Sequence, residues 1–194
     1  MIQNNVEMML KDVRVSFPDI YQKSVYKGKE TNYGSKIILD PTEATQKGYI
    51  KKIQSIIKDL SQNILGIEEI PDADTCLRNG KTLKDETYKG KFRLSANSPN
   101  RPHVFLPGSN KDTADSLEES KIYSGCYVNA KVRIWAHEDT SRVNCQLIAI
   151  QFKRDGESFG APVVPVEDAA EGFEVSGEST EEILSDDKDL LAAA

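Results

Sequence analysis

Residues 122–138, IYSGCYVNAKVRIWAHE, hold the alternation on which the fold class turns. Successive side chains of a strand point to opposite faces, so Val128, Ala130, Val132, Ile134 and Ala136 share one face and Tyr127, Asn129, Lys131, Arg133 and Trp135 the other. The first face is a core face. The second interleaves cations with flat rings, the combination that an unpaired polynucleotide requires: cations meet phosphates, and bases stack on rings for about 1–3 kcal/mol each. The competing reading is a plain solvated face, or one whose rings are covered by the helix or by a second copy.

Further strands lie on either side. MLKDVRVSF (9–17) alternates Val13, Val15 and Phe17 with Arg14 and Ser16 and stops at Pro18. A polar stretch rich in Lys and Tyr, DIYQKSVYKGKETNYG (19–34), has turn signals at Gly28 and Gly34, and YGSKIIL (33–39) then reads as a strand folding back on the first. YKGKFRLSANS (88–98) alternates, HVFL (103–106) is a short run after Pro102, and VNCQLIAIQF (143–152) is a nearly continuous apolar strand before the Asp155-Gly156 turn. Between the second and third strands, Asp40-Pro41 with Glu43 predicts a capped helix start. Ile50, Ile53, Ile57, Leu60 and Ile64 form one stripe that packs on the sheet, and Gly66 is the predicted stop. The fold expected is mostly β with one main helix, an OB-fold-like five-stranded antiparallel barrel, because the regular strand–helix alternation of a doubly wound sheet is missing.

Charge divides the chain. Residues 1–154 hold 24 Lys and Arg against 19 Asp and Glu, whereas residues 155–194 hold one Lys against 12 acids, giving the net charge of −6. A mildly basic body with an acidic tail suits a protein that holds a polyanion on the body and uses the tail as a competing or recruiting anion, a solubilising tail being the simpler alternative. The expected division is a nucleic-acid-binding domain over residues 1–166 and a flexible acidic tail over 167–194, which has too few apolar side chains to fold alone. No run approaches the roughly 18 apolar residues of a membrane span and no signal peptide is evident, so a cytoplasmic protein without membrane contact is expected. Cys76, Cys126 and Cys145 are odd in number and form no CxxC, which predicts reduced, buried thiols.

The expected nucleic-acid contacts are Tyr127, Lys131, Arg133 and Trp135 on one strand, Lys89, Lys91 and Arg93 sharing a face by the same parity on another, and Tyr33 near Lys36. Catalytic signals are weak. His103 and His137 lie in no metal-binding spacing, and no phosphate-cradling glycine loop occurs. No enzyme activity, cofactor or metal is expected; the alternative is a metal-dependent nuclease in which Asp72 and Asp74 share magnesium, or a protein-interaction module using the helix stripe and the tail.

KFRLSANSPNRPHVF (91–105), IYSGCYVNAKVRIWAHE and QFKRDGESFGAP (151–162), followed by an acidic tail, resemble bacteriophage-encoded single-stranded-DNA-binding proteins over most of residues 8–173. The resemblance implies an OB-fold that coats single strands during phage replication or recombination without reading sequence. It implies a tail that contacts replication or recombination proteins, and it adds Arg101, beside Pro102, to the candidate contacts. Some such tails end in an aromatic residue; this one ends in Ala192–Ala194. A homodimer through an exposed strand edge is compatible with all of this.

Overall fold

The computed structural model describes residues 4–107 and 121–159; the polar insertion at 108–120 and the acidic tail lie outside the described residues. Among the described residues, nine strands and one α-helix follow in the order β1 (Asn5–Asp19), β2 (Val25–Tyr26), β3 (Lys29–Glu30), β4 (Tyr33–Leu39), α1 (Ala44–Asn63), β5 (Leu77–Asn79), β6 (Phe92–Ser98), β7 (His103–Phe105), β8 (Tyr127–His137) and β9 (Arg142–Arg154). Seven of them form one sheet in the order β5-β6-β4-β1-β8-β9-β7, and β2 and β3 form a separate hairpin.

The five long strands β6-β4-β1-β8-β9 are antiparallel neighbours, as expected of the five-stranded antiparallel sheet. Two short strands extend this set to seven: β5, three residues too short for a periodic signal, and β7, expected as the short run at 103–106, which pairs parallel to β9 and makes the sheet mixed. β1 serves both halves: its first part pairs with β8, its second with β4, and bulges lie between Leu10 and Val13 and between Ser16 and Asp19. Such bulges sharpen the bend that lets one strand turn a barrel corner.

Among the described residues no ladder joins β6 directly to β9; the segment from Thr75 to Asn79 fills that seam. Thr75 bridges Val143 of β9, Ser95 N–H of β6 donates to Cys76 C=O at 2.9 Å, and Leu77 pairs with Leu94. The thiols of Cys76 and Cys145 interact there; that hydrogen bond, then burial, pushes Cys145 well above the usual thiol range. All three cysteines are free and buried, as expected.

Val128, Ala130, Val132, Ile134 and Ala136 are buried with Leu10, Val13, Val15, Ile37, Leu39, Leu94, Leu147 and Ile150. Ile50, Ile53, Ile57 and Leu60 of α1 pack on this core, joined by Ile56. The helix begins one turn later than predicted. Asp40 Oδ1 accepts from Thr42 N–H at 2.9 Å and from Thr42 Oγ1 at 2.6 Å, capping a local turn, and Glu43 takes the cap position without a side-chain hydrogen bond. Gly66, with φ +68°, follows the helix end as predicted. Among the described residues no helix is long and apolar enough to cross a membrane.

Candidate nucleic-acid interface

Outer faces of β4, β6 and β9 meet across the Thr75–Asn79 seam in a groove of about 550 Å³. Lys36, Arg78, Arg93 and Arg142 bring positive charge to it, Asp74 is the one carboxylate among its described lining residues, and Asn97, Asn144 and Gln146 add amides. Trp135 supplies a half-buried indole, tilted 32° to His137 with centroids 5.2 Å apart. Strand parity explains the gathering. Arg93, Ser95 and Asn97 alternate outward on β6, Arg142, Asn144 and Gln146 do so on β9, and Trp135 lies opposite Asn144.

The cations are held in place. Lys36 Nζ donates to Asn97 Oδ1 at 3.0 Å, and Arg78 donates to Ala73 C=O at 2.7 Å. Arg93 lies opposite Arg78, its guanidinium 5.4 Å from the Tyr88 ring centroid and its buried Nε without a hydrogen-bond partner among the described residues. Burial, then repulsion from Arg93, lowers the Lys36 pKa below the usual lysine range. Tyr88 beneath them shares a 2.8 Å hydrogen bond with Ser16, and burial raises its phenol pKa. An oxyanion entering this groove would relieve the repulsion and meet donors already fixed in position.

Of the ten residues singled out by sequence, Lys36, Arg93 and Trp135 come together in the groove. Tyr33 opens β4, its ring centroid 5.9 Å from Lys23 Nζ. Lys131 and Arg133 face outward as expected, but both bind Glu7 on β1, Lys131 at 3.1 Å and Arg133 through Nε at 3.1 Å. With Trp135 and Gln146, Arg133 lines a smaller hollow of about 190 Å³ that adjoins the groove. Tyr127 lies on another patch, its ring centroid 3.4 Å from the Arg154 guanidinium carbon and 5.5 Å from that of Arg14. Arg101 sits over Tyr21 at 5.7 Å.

The shared face expected of Lys89, Lys91 and Arg93 does not form. β6 begins only at Phe92, after a turn at Gly90 with φ +72°; Lys89 pairs with Glu86 at 3.2 Å and Lys91 with Asp40 at 3.8 Å. Asp72 and Asp74 share a short 3₁₀ turn yet line different hollows, and Asp74 is bound to Arg142. Sequence reasoning missed Arg78 and Arg142. The alternation of Arg142, Asn144 and Gln146 was the available signal, hidden because the strand reads as apolar throughout.

The family model described as Enterobacter phage Enc34, ssDNA-binding protein, matches residues 6–184. The chain belongs to that family. Protein p50 of Acyrthosiphon pisum secondary endosymbiont phage 1 is 30% identical over 174 residues, covering 84% of this chain and 92% of p50. The single-stranded DNA-binding protein of bacteriophage Enc34, solved in complex with ssDNA, superposes with a TM-score of 0.66 at 22% identity, covering 82% of this chain and 96% of that one. Gp2.5, a single-stranded DNA-binding protein encoded by bacteriophage T7, gives a TM-score of 0.52 at 10% identity, covering 90% of this chain and 98% of gp2.5. At such identities the two structures show a shared fold.

In this member of the Enc34 family, two runs that signalled the resemblance pack on each other. Tyr123 Oη donates to Gly156 C=O at 2.8 Å and accepts from Gly156 N–H at 3.1 Å. Arg14 donates to Gly125 C=O at 3.0 Å and to Glu157 C=O, while its guanidinium lies 4.2 Å from the Phe159 ring centroid. These contacts fix residues 155–159 against the start of β8.

Proposed function

We propose that the protein binds single-stranded DNA in the groove between β6 and β9, without reading sequence and without chemistry of its own. The observation that carries this reading is the convergence of Lys36, Arg78, Arg93 and Arg142 with Trp135 on one outward surface of an OB-like barrel. Phosphates displace counterions at the cations, bases stack on the indole, and the groove amides bond to whatever edge or sugar lies nearest. Four to six phosphate contacts, at roughly −0.7 each for a single strand, give a log–log salt slope of about −3 to −4. Family membership and the Enc34 protein's complex with ssDNA support the same ligand. The pairing of Asp74 with Arg142 weighs against the nuclease alternative, because that carboxylate already has a cationic partner.

The acidic residues 167–194 compete for the groove when DNA is absent and are released to replication or recombination proteins when it is bound, in the cytoplasm of a phage-infected host. Support comes from the charge division: 12 acids against one Lys beyond residue 154. Labelled single- and double-stranded DNA run with the protein and magnesium on a gel tests the first part. A shifted, intact single strand is expected; shortened products would replace binding by cleavage. Removal of 167–194 tests the second, with tighter binding expected and unchanged or weaker binding rejecting competition.

A further inference from the structure

Phe17 breaks the pattern that its own strand sets. Val13 and Val15 enter the core, and Phe17 is next in that series, yet its ring is 57% exposed. The cause is local. β1 bulges between Ser16, which lies opposite Lys36, and Asp19, which lies opposite Gly34, and Phe17 takes φ +48°. A bulky side chain in the left-handed region is strained, and a solvated phenyl forgoes the stabilisation of burial. The fold therefore holds this ring outward against two unfavourable terms, one strand position from the groove cation Lys36.

A second exposed ring follows on the same connection. β2 and β3 pair Val25 with Glu30 and Tyr26 with Lys29, and the two-residue turn Lys27-Gly28 has φ +50° and +76°, the positive signs that a tight hairpin turn requires. The base of the hairpin is pinned. Thr31 N–H donates to Ser24 C=O at 2.8 Å, Ser24 N–H donates to Asn32 C=O at 3.2 Å, and the two hydroxyls lie 2.6 Å apart. Asn32 itself lines the groove. Beyond that base Tyr26 is 66% exposed, with Lys27 Nζ 5.3 Å from its ring centroid, and Lys29 is exposed beside it.

We propose that Phe17 and Tyr26 form a second base-stacking site for single-stranded DNA, continuing the groove beyond Asn32, with Lys27 and Lys29 meeting the phosphates. This rests on the reading of the groove as a DNA path. Two rings accompanied by lysines suit a polynucleotide, whose every base has a stacking face and whose every link has a phosphate. The core of a protein–protein interface is depleted of lysine, so the same cations disfavour a protein occupant.

Full-length protein with F17A and Y26A, titrated by anisotropy with labelled oligo-dT about 16 bases long, tests the site. Because both rings are exposed, the variant should keep its melting temperature and lose affinity by about ten-fold or more. A direct reporter is F17W in a W135F background, whose fluorescence should be quenched by oligo-dT. Unchanged affinity in F17A/Y26A with an unquenched F17W signal, in protein that still binds oligo-dT, overturns the second site and leaves the groove standing. Altered sedimentation with affinity intact would assign the rings to contact between copies and overturns it as well. Failure of the unaltered protein to retain oligo-dT removes both readings.

Discussion

Arg142 Nε donates to Asp74 Oδ1 at 3.1 Å, and this ion pair ties the segment leading into β5 to the first residue of β9. It spans the seam over which the groove runs, so a phosphate approaching Arg142 must compete with a carboxylate already in place. Both side chains are partly exposed, and the pair itself contributes little to stability. Asp74→Asn should therefore leave the fold intact, tighten oligo-dT binding several-fold at low salt, and steepen the log–log salt slope by about 0.7. Titrations at three salt concentrations measure both, and weaker binding by Asp74→Asn would remove Arg142 from the DNA path.

Glu7 plays a comparable part on the adjoining surface. Hydrogen bonds from Arg133 and then Lys131 hold its carboxyl below the usual range, and in return it occupies both cations. Glu7→Gln should release them to phosphate and raise DNA affinity most clearly at low ionic strength. An affinity unchanged at every salt concentration would confine the path to the groove proper.

Lys36 should give the proposed interface a pH dependence. Its pKa is lowered by burial and by Arg93, so its charge is lost at lower pH than that of an ordinary lysine. Affinity should decline as pH rises through this lowered value, and Lys36→Arg should flatten the decline. The stability linkage has a definite sign: the unfolded chain holds this proton more tightly, so the unfavourable contribution of Lys36 is present at neutral pH and is relieved as pH rises through the folded-state value. Anisotropy titrations and thermal melts across the alkaline range check the two effects separately.

Gly125 lies where the two runs that carry the resemblance pack on each other. It has φ +115°, and a Cβ there would lie 2.1 Å from the Glu157 carbonyl oxygen. Gly125→Ala should lower stability by about 1–3 kcal/mol through backbone strain and loss of the 155–159 anchor. Chemical denaturation measures this, and the folded fraction should retain DNA affinity because the groove lies elsewhere.

The alternation that marked β8 was legible because one face is wholly buried and the other wholly outward. β4 was bounded correctly at Tyr33 and Leu39, with Asp40-Pro41 ending it, although Gly34, read as a turn signal, lies inside the strand opposite Asn97. β5 was not legible. Its three residues take their place from Leu94 on β6, and the segment leading into it from Val143 on β9, partners remote in sequence. The same limit hid Arg78 and Arg142, which become neighbours of Lys36 and Trp135 only when the seam closes. Phe17 falls in series with the buried Val13 and Val15 yet is exposed, because strand parity does not register a bulge, and Lys89 and Lys91 were assigned to β6 because parity does not register the turn at Gly90.

The central claim is that a single strand lies along the groove with a base against Trp135. Fluorescence of this lone tryptophan during titration with oligo-dT, at low and at high salt, reads ring contact and phosphate contact together. The account predicts quenching on binding, a midpoint that moves to much higher oligo-dT concentration as salt rises, and a loss of about 1–3 kcal/mol of affinity in Trp135→Ala. Binding that leaves the indole signal unchanged, or a midpoint indifferent to salt, would contradict it.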